Sequence, residues 1–466
     1  MAARIPELGQ GAGQVHVRLP PTTSVPMTPR TMAIVDHPAF QRLRQVTQLG
    51  PTHMVYPGAV HTRFEHSLGV FFTAGQYLNH LLEVPAFAER VDEADLLTVL
   101  AAALLHDIGH YPMAHSLEAL HLKGNDTPRH EDIAADIIRG DLPRWRGDRS
   151  LAEILSEQWG IDPERVIAFI ARPRGSHGRD VDALLASIIS SGIDADKMDY
   201  LGRDSLHMGV PYGRNYDRQR LLDSLTVAED GRSIAVTAKG RTPAEIFIFC
   251  RYTMFSEAYW HHTVRSVSAM VEASMADLQR CGVLPDDRLQ LVDDLLGRAD
   301  AAMLDWLMSL APADSDARRI LGGMTGHRRA LYKRVVTLSR LFDEPRTTAA
   351  YEHLMGLDSA GLRQVTEALR RAVREDLGID IPEGGLVIDT PPRDKDHFED
   401  VEVAFPALAG HRRRRLTDIS AVVRAISGDF LKVVKKVRVF VAPEFAEGLR
   451  SRQDRLEEIF LGAILP

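Results

Sequence analysis

The feature that most constrains the fold is one apolar helix that ends in titratable groups. In "DEADLLTVLAAALLHD" (92–107), Leu96, Leu97, Leu100, Leu104 and Leu105 fall at helical spacing, with acids in the first turn. A helix this apolar is a buried one. It delivers His106 and Asp107 at its end, with His110 and His115 close behind. A buried His-Asp pair is costly unless something neutralises the carboxylate and orients the imidazole. A divalent cation does both, since imidazole and carboxylate oxygen are good ligands for Fe, Mn or Zn. Two adjacent residues rarely fill a coordination sphere, so further ligands must converge from elsewhere. "HTRFEHSLG" (61–69) offers His66, and "SGIDADKMDYLGRD" (191–204) offers Asp194, Asp196, Asp199 and Asp204. Taken singly, each has an ordinary explanation as a satisfied histidine or a helix cap. Their joint occurrence points to a metal.

The 466 residues suffice for a sizeable core, and a net charge of −8 argues against an overall electrostatic grip on nucleic acid. The only cysteines are Cys250 and Cys281, too few for a disulfide framework or a cysteine-rich zinc site. That scarcity fits a reducing compartment. No apolar run approaches the roughly 18 residues of a membrane span. "MAARIPELGQGAGQ" lacks the apolar stretch of a signal peptide, so a cytoplasmic protein is expected.

The pattern predicts a mainly α fold in four parts. Residues 1–30, rich in Gly and Pro, read as an irregular lead-in, and 31–285 as a helical core. Within that core "SLTVAEDGRSIAVT" (224–237) reads as a hairpin, with Asp230-Gly231 supplying a tight primed turn. "ARPRGSHGRD" (171–180) reads as a loop. Residues 286–376 read as a helical extension, whose stripe of Leu362, Val365 and Leu369 carries no chemistry. Residues 377–466 read as a smaller α+β lobe, with β-like runs in "GGLVIDTPP" (384–392), "VEVAF" (401–405) and "VRVFVA" (437–442).

The order H…HD…D, carried by "RFEHSLGV", "LLHDIGHYPMAHS", "RHE" and "GIDADKMDYLGRD", resembles the HD-domain phosphohydrolase superfamily. Within it, residues 31–275 look most like the deoxynucleoside triphosphate triphosphohydrolases, although no sterile-alpha-motif segment is expected here. The resemblance implies His66, His106, Asp107 and Asp196 as ligands of a divalent ion, with Mg as a companion of the substrate's triphosphate. It implies His130 as the catalytic proton donor, oriented by Glu118, where some relatives carry Asp. His110 and His115 would line the phosphate path. Arg63, Lys197 and Arg251 match positions that hold phosphate oxygens, a task suited to arginine's bidentate grip. Tyr200, Asp204 and Gln48 match residues facing the sugar hydroxyl, while Leu49 and Tyr259 match walls beside sugar and base. The implied reaction is attack of water on the α-phosphorus of a dNTP.

In "DHPAFQRLRQVTQLG" (36–50), Asp36, Gln41 and Arg44 match residues that read guanine in the regulatory pocket of GTP-activated relatives. The resemblance therefore implies a GTP or dNTP activator and a dimer or tetramer. The bland alternative is an ordinary amphipathic helix with Asp36 near its cap. "GQGAGQVHVRLP" (9–20) departs from the acidic, proline-containing entry expected in relatives. In the tail, "HRRRRL" (411–416) and "KVVKKVRVF" (432–440) read as a solvated basic edge that blocks sheet pairing rather than as a nucleic-acid face. Two other functions stay open: an HD phosphohydrolase acting on another phosphorylated nucleotide, and a nucleotide-sensing or nucleic-acid-binding protein.

Overall fold

The apolar helix runs from Glu93 to Leu105, and every residue from Asp95 onward is buried. Asp92 and Asp95 close its N-terminus as a reciprocal capping box. Arg165 and Arg179 then neutralise the fully buried Asp95, at 2.7 and 2.6 Å. The helix packs between Arg63–Leu81 and Pro163–Ala171, and the helix Ala195–Met208 lies against Arg63–Leu81. These elements define the site. The fold is seen in a computed structural model that describes residues 4–9, 15–113, 121–122, 125–126, 128–171, 179–341, 344–391, 400–405 and 413–465. Most of the expected loop at 171–180 lies outside the described residues. Among those described, no helix is long and apolar enough to cross a membrane.

The fold is mainly α, with small sheets. Strands β1 (Val15–Leu19) and β2 (Thr23–Met27) form an antiparallel hairpin where an irregular lead-in is expected. Pro20 and Pro21 make its turn, and Leu19, Val25 and Met27 reach the core. Gly and Pro marked punctuation there, not absence of structure. A second, two-residue pair, β3 (His121–Leu122) and β4 (Asn125–Asp126), follows. The predicted hairpin forms as β5 (Leu225–Val227) and β6 (Ile234–Thr237), but its turn is wider than expected. The Ala228 N–H donates to the Ser233 carbonyl at 2.8 Å, which leaves residues 229–232 as the loop.

The expected helical extension contains a strand, β7 (Lys333–Leu338), whose β-branched Val335, Val336 and Thr337 suit a sheet. It joins β8 (Leu386–Asp389) and a later strand in a sheet over a second hydrophobic core. Strands β9 (Glu402–Ala404) and β10 (Arg413–Arg415) instead extend the β5–β6 sheet in the order β10-β9-β6-β5.

The two basic tail segments behave differently. β10 is an edge strand with Arg414 and Arg415 exposed, as a solvated edge requires. The second segment contains β11 (Val437–Val441), the middle strand of β7-β11-β8, and all five residues are buried. There the expectation of a solvated edge fails. Alternating valines draw the strand inward, and Arg438 follows it to lie 3.9 Å from Asp389 and donate to the Trp260 carbonyl at 3.0 Å. Burial pushes its pKa down to about 10.

Candidate active site at the end of the apolar helix

His106 caps the apolar helix, and its Nδ1 lies 2.9 Å from the Ala103 carbonyl. That contact places the proton on Nδ1 and presents Nε2 as a lone pair. Nε2 is buried and makes no hydrogen bond among the described residues. Around it stand three further groups. Asp196, in the first turn of Ala195–Met208, brings Oδ1 to 3.6 Å from His106 Nε2 and 3.0 Å from His66 Nε2. Asp107 brings Oδ1 to 3.5 Å from His106 Nε2 and Oδ2 to 3.8 Å from His66 Nε2. The four residues expected as ligands thus converge from three helices.

The electrostatics favour a cation. Burial opposes an imidazolium at His66, yet Asp196, Asp199 and Asp107 outweigh it and push its pKa up to about 10. Burial likewise opposes ionised Asp107, but Arg63, His110 and His106 hold its carboxyl well below the usual range. A pocket that draws protons this strongly fits a divalent ion. His66, His106 and Asp196 have ligand atoms all within 4.8 Å of one another, as do Asp107, His110 and His130.

Beneath the ligands lies a polar layer that the sequence showed only in part. Asp199, one of the acids in the expected Asp-rich turn, puts Oδ2 2.9 Å from His66 Nδ1 and so orients the ring from behind. Arg203 grips both Asp199 oxygens at 2.8 and 2.7 Å and reaches Glu65 at 2.6 Å. Gly69 makes room for this pair, since a Cβ there would stand 2.2 Å from Asp199 Oδ1 and from Arg203 Nη2. Glu65 also meets His207, which stacks on His61 with centroids 4.3 Å apart. His61, Glu65 and Arg203 carried no signal beyond lying inside the two motif stretches, and His207 lies just past the second.

His130 begins the helix His130–Arg139, and its ring lies 3.7 Å from that of His110. Gly109 permits this approach: a Cβ would fall 1.9 Å from the His130 carbonyl oxygen. Burial and the Arg63 charge drive the pKa of His110 well below its ordinary value, while Asp107 pulls the other way. Glu131 Oε2 stands 3.4 Å from His130 Nδ1. Glu118 and His115 lie outside the described residues.

The remaining predicted residues are distributed unevenly. Arg63 donates to Asp107 Oδ2 at 2.6 Å, and Lys197 to Asp194 Oδ2 at 2.7 Å, so two expected phosphate cations already hold carboxylates. Asp204 accepts from Tyr259 Oη at 2.7 Å and lies 2.8 Å from His61 Nε2. Tyr200 packs edge-on against Tyr259 with centroids 6.2 Å apart. Burial raises the Tyr200 pKa, with the nearby Arg251 charge pulling the other way. Gln48 is half-buried, its Oε1 without a hydrogen-bond partner among the described residues, and Leu49 packs at the edge of the core. Asp36, Gln41 and Arg44 do not share one amphipathic helix. They sit on the short elements Pro29–Val35, Pro38–Gln41 and Arg42–Gln45 and their caps. Pro38 breaks the run. Asp36 is exposed, while Arg44 donates to Gln41 Oε1 at 2.8 Å and covers the Phe64 ring at 3.5 Å.

This architecture is that of an HD domain with its associated region. The HD domain family matches residues 63–201 and the HD associated region residues 216–456, and the chain belongs to this family. An uncharacterized protein of Bacillus subtilis is 35% identical over 233 residues, 50% of this chain and 48% of that protein. The deoxynucleoside triphosphate triphosphohydrolase SAMHD1 of Gallus gallus is 30% identical over 340 residues, 66% of this chain and 53% of that protein. The chain spans about half the length of the curated relatives it matches. Among solved structures, a hypothetical protein from Aquifex aeolicus superposes with a TM-score of 0.65 at 23% identity, over 94% of this chain and 99% of that one. It supports the fold.

Proposed function

We propose that the protein hydrolyses deoxynucleoside triphosphates to the deoxynucleoside and inorganic triphosphate, with water attacking the α-phosphorus. The observation that carries this reading is the convergence of His66, His106, Asp107 and Asp196 at 3.0–3.8 Å beside the close-packed His110–His130 pair. Those four residues would hold Fe, Mn or Zn. When bound, such an ion supplies the acidity that makes water a nucleophile at neutral pH.

The chain's own groups do the rest. His110 lies against His130, with ring centroids 3.7 Å apart, and its Nδ1 stands 3.1 Å from Asp107 Oδ1, which places the pair beside the ligands where phosphate would enter. The half-exposed His130 carries the proton to O5′ of the departing deoxynucleoside, with Glu131 alongside and Glu118 assigned the orienting role. Arg63, Lys197 and Arg251 face the triphosphate, joined by His115, and a Mg ion accompanies it. Tyr200, Asp204, Gln48, Leu49 and Tyr259 form the sugar and base walls. Asp36, Gln41 and Arg44 take a GTP or dNTP activator in an oligomer. Water adds to phosphorus, the P–O5′ bond breaks, and O5′ leaves protonated.

A second reading draws on the pairing of Arg63 with Asp107 and of Lys197 with Asp194. With fewer uncommitted cations, the same centre suits a nucleotide with fewer phosphates. Turnover in ¹⁸O-water separates the cases. Label in inorganic triphosphate, with none in the deoxynucleoside, is expected; label in orthophosphate would favour the second reading.

A further inference from the structure

Met113 is a buried non-glycine residue with φ of +59°, in the backbone that leaves the His-Asp pair. Left-handed backbone is unfavourable for a side chain of this kind and persists only where its surroundings impose it. The imposing group comes from far away in sequence. Asp300, first residue of the helix Asp300–Leu310, accepts the Met113 N–H on Oδ1 at 2.5 Å. Its other oxygen accepts the Thr47 N–H at 2.8 Å.

Thr47 belongs to the backbone that carries Gln48. It bridges to Thr62, between an Arg63 N–H that donates to the Val46 carbonyl and a Gln48 N–H that donates to the His61 carbonyl, both at 2.9 Å. One carboxylate therefore ties the backbone carrying Gln48 and Arg63 to the backbone carrying His110. A buried cation completes the grip. Arg42 Nη2 donates to the carbonyls of Ile108 and His110 at 2.5 and 2.9 Å, while its Nε and Nη1 are buried with no hydrogen-bond partner among the described residues.

We infer that Asp300 is a positioning residue which, with Arg42, fixes residues 108–113 against residues 46–48 in the placement that the reaction needs. A helix beyond the HD match at 63–201 thereby sets the geometry of groups within it. The inference rests on the roles proposed above for His110 and Gln48. It gives the associated region a task in catalysis, where a plain acid in a first helical turn would only support its own helix.

The test is Asp300→Asn in the full-length, Mn-loaded protein, followed by steady-state dGTP hydrolysis, metal stoichiometry and hydrogen–deuterium exchange. The amide keeps the volume but cannot accept two N–H groups. Expected are about a 100-fold fall in kcat, unchanged bound Mn, and faster exchange confined to peptides covering 44–49 and 105–113. Arg42→Lys, which keeps the charge but loses the two-carbonyl fork, should loosen 105–113 and leave 44–49 unchanged. Wild-type kcat and exchange in Asp300→Asn would overturn the inference. So would a general rise in exchange with loss of metal, the mark of a merely structural role. Wild-type failure on dGTP would refute the substrate reading instead, and the exchange comparison would still decide the clamp.

Discussion

Gly109→Ala is the smallest change that tests the link between the apolar helix and the histidines proposed to be catalytic, His110 and His130. The added methyl would lie 1.9 Å from the His130 carbonyl oxygen and 2.6 Å from the Ala134 nitrogen. Ordinary contact begins at 3.4 Å, so the His130 helix must retreat by about 1.5 Å. Both clashing atoms are backbone, and no rotamer change relieves them. Overpacking of this kind costs about 1–3 kcal/mol of stability, which a domain of ordinary stability survives. The catalytic cost is larger, because a misplacement of about 1 Å reduces turnover roughly 100-fold. The metal should stay, since His66, His106 and Asp196 lie on elements that do not move. The assay is kcat for dNTP hydrolysis at a temperature well below the variant's Tm, with bound metal measured in parallel. A kcat within threefold of wild type would refute the claim that the close contact of His110 with His130 matters.

Other predictions follow from the same geometry. Asp196→Ala and His66→Ala should each abolish stoichiometric metal binding, read by elemental analysis of dialysed protein. Asp199→Asn should weaken metal affinity about 10- to 100-fold, as loss of a group orienting a ligand does, seen by competition with a chelator. Glu272 is half-buried beside Arg265 at 3.9 Å, and burial pushes its pKa up to about 8, with Arg265 opposing and Asp389 adding to the rise. A carboxyl raised on folding contributes stability that is complete below about pH 4.5 and is lost as pH rises through about 8. Glu272→Gln should therefore flatten the Tm decline across that interval, which a pH series of thermal melts would reveal.

The site was legible where chemistry and periodicity coincide. A helix apolar on nearly every face has one environment open to it, so the position of His106 and Asp107 followed from Leu96 through Leu105. The Asp-rich turn was visible as a group, but its division of labour was not. Asp196 faces the ligand cluster and Asp199 the back of His66 because they lie three residues apart on one helix, and only packing against Arg63–Leu81 decides which faces inward. Asp300 was illegible, since a lone acid at a helix start is common and its partners are backbone N–H groups at positions 47 and 113. Strand β7 was missed for a related reason. "KRVVTL" has two adjacent inward valines, and its one sheet partner comes from positions 437–441, which in turn pair with 386–389. Burial of Arg438 was missed because composition marks the segment as basic, whereas strand order decides which side chains reach water.

The central claim is tested most directly by separating the products of purified, Mn-loaded protein on an anion-exchange column. Each of the four dNTPs would be supplied alone and with GTP, beside the matched ribonucleotides and an Asp107→Ala control. The account predicts a deoxynucleoside and inorganic triphosphate in equal amounts, absent in the control. No turnover of any dNTP, or release of orthophosphate or a nucleoside monophosphate instead, would contradict it.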